Sequence, residues 1–279
     1  MHKILSKKYE NLEVVSKKNL EYYKKNTPFP HIVFDNFFEI EFLKKVLNEF
    51  PDLSEISKSE KYNSKNEVKL SYNKYENFSS NTKILIDFLN SKEFLIFLQN
   101  LTSINEELVA DPQLSGGGLH QIKKGGVLKI HTDFNKHPRL NLDRRLNLLL
   151  YLNENWQKSY GGQLEFWDKN MKNAVKKISP DFNKIVIFST NDFSNHGHPE
   201  PLACPENSSR KSIALYYFSD GRPDIEINKN FIKNTTRFKN REGYDEISQK
   251  DERFKNYLRG LKIYQFLKKI EKKYIRKKK

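Results

Sequence analysis

Hydrophobic positions recur at helical spacing in the first part of the chain. Within residues 40–50 the apolar positions describe one face of a helix, which Pro51 ends. Residues 82–101 repeat that spacing and predict a second helical stretch. Residues 31–38 form a short strand-like run. Residues 52–80 are rich in Ser, Lys and Asn, and we expect a long surface excursion there.

After about residue 110 the pattern changes from helical to strand-like. Short apolar runs follow one another, bounded by turn residues, at 119–122, 127–130, 146–152, 163–167, 184–188 and 212–218. Such a series predicts a sandwich or barrel of two sheets with the preceding helices on one outer face. The expected fold is therefore mainly β (α+β). It has a double-stranded β-helix (jelly-roll) core, supporting N-terminal helices and a C-terminal helix.

Four regions are predicted along the chain. A polar N-terminal segment spans residues 1–27, a helical support region 28–109, the double-stranded β-helix core 110–222, and a basic helical tail 223–279. Within the tail, residues 251–275 carry an apolar stripe with lysines and arginines opposite, which is typical of an amphipathic helix. We expect this stripe to dock on its own domain or on a partner subunit, and contact with a membrane surface is the less favoured alternative.

The positive charge is concentrated in the same tail. The formal net charge is +15, and residues 229–279 contribute 18 Lys and Arg against 6 Asp and Glu, so the rest of the chain carries only +3. Any attraction to nucleic acid or anionic lipid would therefore act at the tail. A merely solvated basic surface is the favoured interpretation.

Composition excludes several classes of protein. Hydrophobic residues at 37% with 13% aromatics build a substantial core, and no run approaches the roughly 20 apolar residues of a membrane-spanning helix. The N-terminus shows no secretory signal. One cysteine, Cys204, forms neither an internal disulfide nor a cysteine-rich zinc site, which fits a reducing compartment. We therefore expect a soluble, cytoplasmic protein.

His131 and Asp133 are the strongest chemical signal. They follow the apolar run 127–130, and alternate positions on a strand point to the same face. A histidine and a carboxylate so placed offer two ligands of the facial triad that binds non-haem ferrous iron. His196 and His198 are the candidates for the third ligand. The alternative is a purely structural role, in which a strand-end histidine is hydrogen-bonded to a neighbouring acid.

Arg210 and Ser212 open another apolar strand and share one of its faces. A guanidinium binds a carboxylate through two parallel hydrogen bonds. This pair suits the distal carboxylate of a dicarboxylic acid whose other end chelates a metal. Taken alone, Arg210 would equally fit a surface ion pair.

Between the histidine–aspartate pair and His196 the chain also has residues 145–153, Trp156 and residues 161–164. This set of residues, in this order along the chain and followed by Arg210 and Ser212, resembles the prolyl 4-hydroxylase-like branch of the 2-oxoglutarate and Fe(II)-dependent oxygenases. The resemblance covers about residues 110–220, and more loosely residues 28–51. It implies an iron site and a cosubstrate site. The implied iron ligands are His131, Asp133 and His196, with His198 as the alternate, and the implied 2-oxoglutarate contacts are Arg210, Ser212 and Tyr151.

The resemblance also implies a reaction. Fe(II), 2-oxoglutarate and O2 would hydroxylate an unactivated C–H bond and yield succinate, with ascorbate keeping the iron ferrous. A prolyl residue of a protein is the first expectation for the substrate, and other peptide side chains, small metabolites and glycan-linked groups are alternatives. The family often has a tyrosine nine residues before the first iron histidine, where this chain has Ile122, and His120 is a candidate to line that face instead.

Two non-enzymatic interpretations stay open at this point. One is a metal-binding jelly roll without catalytic activity. The other is a binding module that its basic C-terminal helix recruits to nucleic acid or membrane.

Overall fold

The computed structural model describes residues 3–226 and 235–248. These residues form four α-helices: α1 (Leu12–Lys25), α2 (Ile40–Asn48), α3 (Ser80–Leu89) and α4 (Lys92–Thr102). They also form thirteen strands: β1 (His31–Asp35), β2 (Glu60–Asn63), β3 (Glu67–Tyr72), β4 (Val109–Ala110), β5 (Gly118–Lys123), β6 (Val127–Thr132), β7 (Asp143–Tyr151), β8 (Leu164–Trp167), β9 (Ala174–Ile178), β10 (Lys184–Ser189), β11 (Asn195–His198), β12 (Ser209–Ser219) and β13 (Arg237–Phe238).

The strands form one antiparallel sheet that curls on itself. Its order is β1-β10-β7-β12-β5-β3-β6-β11-β8-β9, with β2 on β3, β4 on β12 and β13 on β6. Strand β3 pairs with β5 along residues 70–72 and with β6 along residues 67–68. Strand β3 thus joins the half of the sheet that contains β12 and β5 to the half that contains β6 and β11. The two halves enclose a common interior between β12 and β11.

Side-chain alternation explains why the central strands are continuously apolar. On β7, Leu148 and Leu150 face outward into the cluster beneath the helices, whereas Tyr151 faces the interior with Val186 and Phe188 of β10. Both faces of β7 are therefore buried, and the run 146–152 shows no polar alternation. The mainly β architecture with outer helices is the one that the sequence predicts.

The helices cover the outer face of the sheet. Helix α1 packs on α4 and buries Leu12, Val15 and Tyr23, so the N-terminal segment contributes more to the core than its polarity indicates. The helical stretch 82–101 is divided in two. The Ser91 hydroxyl accepts a hydrogen bond from the Phe94 backbone N–H and caps the second helix, α4.

Two predictions need correction. The excursion 52–80 contains the β2–β3 hairpin, and β3 is an interior strand of the sheet. Its apolar residues Val68, Leu70 and Tyr72 alternate with polar ones, which is the pattern of a half-buried strand that the prediction missed. The tail from residue 223 is not wholly helical, since β13 pairs with β6. The predicted helix 251–275 lies outside the described residues. No helix in the described ranges is long and apolar enough to cross a membrane.

Candidate active site

Three side chains converge where β6 and β11 pair. His131 and His196 are partners in the strand register, and Asp133 follows β6. One donor atom from each of the three lies within 4.8 Å of the other two. The Asp133 carboxylate oxygens lie 3.6 Å from His131 Nε2 and 3.3 Å from His196 Nε2. All three side chains are largely buried.

Backbone carbonyl groups fix the tautomer of both histidines. His131 Nδ1 donates to the Lys129 carbonyl at 2.8 Å, and His196 Nδ1 donates to the Ser194 carbonyl at 2.9 Å. The Nε2 lone pairs are thereby free to face Asp133, which is the state that metal binding requires. Burial also lowers the pKa of His196 to about 4, which keeps it neutral. Two neutral imidazoles and one carboxylate fit Fe(II) as a facial donor set.

The Asp133 carboxylate is held from behind by two residues that the sequence did not single out. Asn147 Nδ2 donates to Asp133 Oδ2 at 2.8 Å, and Arg144 Nη2 lies 3.1 Å from the same oxygen. Burial alone would raise the pKa of Asp133, but the charge of Arg144 outweighs burial and holds that pKa well below its ordinary value. The carboxylate is thus ionised and oriented.

Arg144 is itself fully buried and tightly fixed. Its Nε and Nη2 both donate to Asn147 Oδ1, at 2.9 and 2.6 Å. The guanidinium carbon lies 3.4 Å from the centroid of the Tyr216 ring and 4.4 Å from that of Phe134. The ring faces stabilise the cation without competing for its hydrogen bonds.

An inner cavity extends from these three side chains toward β12. Arg210 and Ser212 line it together with His131, Asp133 and His196. The predicted iron ligands and two of the predicted cosubstrate residues therefore share one cavity.

Tyr151 supports Arg210 from behind the cavity. Arg210 Nη2 donates to the Tyr151 hydroxyl at 3.1 Å, and its Nε donates to the Gly162 carbonyl at 2.8 Å. Tyr151 is not among the described residues that line the cavity, so its contact is with the guanidinium. Gly162 has φ +71°, and a Cβ there would lie 3.0 Å from Arg210 Cδ. This glycine therefore permits the close packing of Arg210.

His198 occupies a different place from His196. The register shifts between the two residues, so that His198 pairs with Leu128 and stays outside the three-residue cluster. It lines the inner cavity, as does His120, which is paired with Ser212. The geometry favours His196 over His198 as the third ligand. Both His120 and Ile122 line the inner cavity.

A second, outer cavity of about 300 Å³ shares His131, Asp133 and Tyr216 with the inner one. Four aromatic side chains line it: Tyr62, Phe134, Tyr216 and Phe238. Phe238 comes from β13, and its ring centroid lies 5.4 Å from that of His131. The chain beyond the core therefore closes one wall of the site, which no local pattern in the sequence indicates.

Sequence comparison relates the core to known proteins. The family model of the 2OG-Fe(II) oxygenase superfamily matches residues 117–218. Prolyl 3-hydroxylase OGFOD1 of Mus musculus is 34% identical over 79 residues, which are 27% of this chain and 14% of that protein. The Xenopus laevis protein of the same name is 27% identical over 199 residues, 69% of this chain and 35% of that protein. The chain thus matches about a third or less of these relatives' length.

Solved structures share the fold. A prolyl hydroxylase from Trichoplax adhaerens, in complex with a hypoxia inducible factor peptide fragment, superposes with a TM-score of 0.55 and 18% identity, over 76% of this chain and 92% of that one. A Pseudomonas putida prolyl-4-hydroxylase gives 0.51 and 13%, over 76% and 100%. The predicted double-stranded β-helix is confirmed.

Proposed function

We propose that this chain, whose residues 117–218 belong to the 2OG-Fe(II) oxygenase superfamily, is an Fe(II)- and 2-oxoglutarate-dependent dioxygenase. It hydroxylates an unactivated C–H bond of a prolyl residue in a protein and converts 2-oxoglutarate to succinate. One observation carries the proposal: the cluster of His131, Asp133 and His196 opens into the cavity that Arg210 lines.

His131, Asp133 and His196 would hold the iron. When bound, Fe(II) together with 2-oxoglutarate and O2 supplies the oxidising chemistry, and the protein supplies geometry. The carbonyl groups of Lys129 and Ser194 keep both Nε2 atoms unprotonated. Asn147 and Arg144 orient the carboxylate, as outer partners of metal ligands commonly do.

Arg210 and Ser212 would bind the distal carboxylate of 2-oxoglutarate. The guanidinium is held in place before any ligand arrives, because Gly162 and Tyr151 accept two of its hydrogen bonds. Such preorganisation lowers the entropy cost of binding the cosubstrate. Tyr151 acts in this account by positioning Arg210.

The outer cavity would receive the substrate. Its aromatic side chains would contact an apolar ring such as that of proline, and its charged residues Glu67, Lys69 and Lys136 would face the polar groups of a peptide. The names of the relatives, prolyl 3-hydroxylase and prolyl-4-hydroxylase, favour the same substrate class. The family match favours the enzyme over a non-catalytic jelly roll or a module recruited by its tail.

Ascorbate would keep the iron ferrous, and the single buried cysteine suits a cytoplasmic location. The basic tail would contact the protein's own domain or a partner subunit.

Succinate formation tests the proposal. The purified protein, Fe(II) and 2-oxoglutarate are incubated with a library of proline-containing peptides, and succinate is measured by mass spectrometry. We expect peptide-dependent succinate and a mass gain of one oxygen on the peptide. Asp133→Ala abolishes iron binding and succinate formation. The control variant Asp87→Ala, which replaces an exposed aspartate on α3, retains both. Retained activity in Asp133→Ala would contradict the assigned site.

A further inference from the structure

Residues 235–248, which we call the strap, lie along β6 and come after the region that the family model matches. Two strap residues, Arg237 and Phe238, are the register partners of Thr132 and His131. The strap is therefore fixed to the strand that carries the first predicted iron ligand.

Arg237 also reaches a carboxylate in the turn between β10 and β11. The Asp192 side chain is 1% exposed, and the Arg237 guanidinium forms an ion pair with Asp192 Oδ1. Asn135 Nδ2 donates to the same oxygen at 3.3 Å. Asn135 belongs to the segment that follows β6 and stands two residues after Asp133. One buried carboxylate therefore joins the strap, the segment after β6 and the turn before β11.

Strand pairing alone does not place the three predicted ligands. His131 and His196 are register partners, but β6 ends before Asp133. The turn that contains Asp192 also orients His196, because the Ser194 carbonyl accepts a hydrogen bond from His196 Nδ1. The position of Asp133 relative to His196 thus depends on contacts outside the strand ladder, and Asp192 joins the two segments concerned.

Arg237 stabilises Asp192 in its buried position. A carboxylate removed from water is costly unless a cation and hydrogen bonds accompany it. Burial lowers the pKa of Arg237, and the charges of Asp192 and Asp133 act in the opposite direction. Without Arg237, the Asp192 side chain would no longer be held between the two segments.

We propose that Arg237 and Asp192 are positioning residues for the metal site. Their ion pair holds the segment after β6 and the turn before β11 at the separation that lets Asp133 and His196 bind one metal ion. The inference rests on the proposed function, because it assumes that the three predicted ligands bind a metal. Arg237 acts through Asp192, and neither residue is a ligand.

Charge and position have opposite effects on metal binding when Arg237 is replaced. Arg237→Met takes a positive charge away from the surroundings of a cation site, so electrostatics alone predicts a lower Kd for the metal. Loss of the ion pair lets the two ligand-bearing segments move apart, so the positioning role predicts a higher Kd. The direction of the change therefore distinguishes the two effects.

Metal affinity of the full chain tests the proposal. The Kd for Co(II), which binds the same nitrogen and oxygen ligands as Fe(II), is measured in competition with a chelating dye. The variants are Arg237→Met, Arg237→Lys, Asp192→Asn, and Arg237→Met combined with Asp192→Asn. Arg241→Met is the matched control, because Arg241 holds the strap elsewhere through ion pairs with Glu246 and Glu200. Urea unfolding of the metal-free proteins verifies that each variant folds.

We expect the Kd for Co(II) to rise about tenfold in Arg237→Met, as the loss of an outer partner of metal ligands predicts. Arg237→Lys recovers part of the loss, and Arg241→Met keeps the wild-type Kd. The combined variant binds no more weakly than the weaker single variant, because both changes remove the same ion pair. An unchanged or lower Kd in Arg237→Met, an equal rise in Arg241→Met, or additive effects in the combined variant overturns the inference.

Asn135→Ala provides a second test that leaves the buried ion pair in place, for the case in which Arg237→Met does not fold. It removes only the side-chain hydrogen bond from Asn135 to Asp192. The loss of one hydrogen bond corresponds to a Kd for Co(II) that is about fivefold higher, and a wild-type Kd overturns the inference. These contrary results leave the proposed function standing, whereas a wild-type protein that does not bind Co(II) overturns both.

Discussion

Replacing Arg210 with methionine removes the cation at the far end of the inner cavity while leaving the predicted iron ligands untouched. The side chain is 6% exposed, and Gly162 and Tyr151 hold the guanidinium in one orientation. Hydrogen bonds to a charged group contribute about 1.5–3 kcal/mol each, and a guanidinium commonly forms two with a carboxylate. A loss of about 3 kcal/mol corresponds to a Kd for 2-oxoglutarate that is about 150-fold higher.

Calorimetric titration of the Fe(II)-loaded protein under argon measures this change. Lys211→Met is the matched control, because it removes the same charge from the next residue, whose side chain points to the opposite face of β12 toward Phe50. Iron content should equal that of the wild-type protein in both variants. A Kd within threefold of wild type for Arg210→Met, or an equal rise in Lys211→Met, would refute the reasoning.

Three further predictions follow from the same contacts. Arg144→Met leaves Asp133 without its buried cationic partner, so Fe(II) affinity in a competition titration should fall about 10- to 100-fold, and unchanged affinity would count against the orienting role. Gly162→Ala places a Cβ 2.6 Å from Leu202 Cδ2 and 3.0 Å from Arg210 Cδ, at a residue with φ +71°. 2-Oxoglutarate binding should therefore weaken while iron content is retained, and wild-type affinity would show that Arg210 tolerates the displacement. Burial lowers the pKa of His120 to about 3. Below pH 6.5 the unfolded chain therefore binds a proton at this residue that the folded chain does not bind. The free energy of unfolding decreases as the pH is lowered, by up to about 1.4 kcal/mol per pH unit. Urea unfolding of the metal-free protein between pH 6.5 and 4 should therefore show a shallower slope for His120→Gln, and equal slopes would contradict a buried neutral imidazole.

The sequence predicts those features that depend on local spacing. His131 and Asp133 share a face because strand side chains alternate, and continuous apolar runs mark strands buried on both faces, such as β7. The hairpin β2–β3 escaped prediction although Val68, Leu70 and Tyr72 alternate with polar residues, because the whole segment 52–80 is rich in Ser, Lys and Asn, which indicates a surface excursion. The place of β3 in the sheet comes from its pairing with both β5 and β6, which is not a local property.

The rest of the site depends on contacts between distant segments. Arg144 reaches Asp133 only because β7 folds back beside the end of β6. In the sequence Arg144 stands next to another arginine, and nothing there indicates that its side chain is completely buried. The choice between His196 and His198 turns on a register shift within one short strand. Phe238 enters the outer cavity from beyond the predicted core, through the pairing of β13 with β6.

Anaerobic titration of the protein with Fe(II) and then 2-oxoglutarate tests the central claim most directly, since the chelate of the two gives a weak visible charge-transfer band. We predict that the band appears at one equivalent of each in the wild-type protein, is absent in Asp133→Ala, and requires far more 2-oxoglutarate in Arg210→Met. A wild-type protein that binds both components without the band, or an Asp133→Ala variant that retains it, would contradict the account.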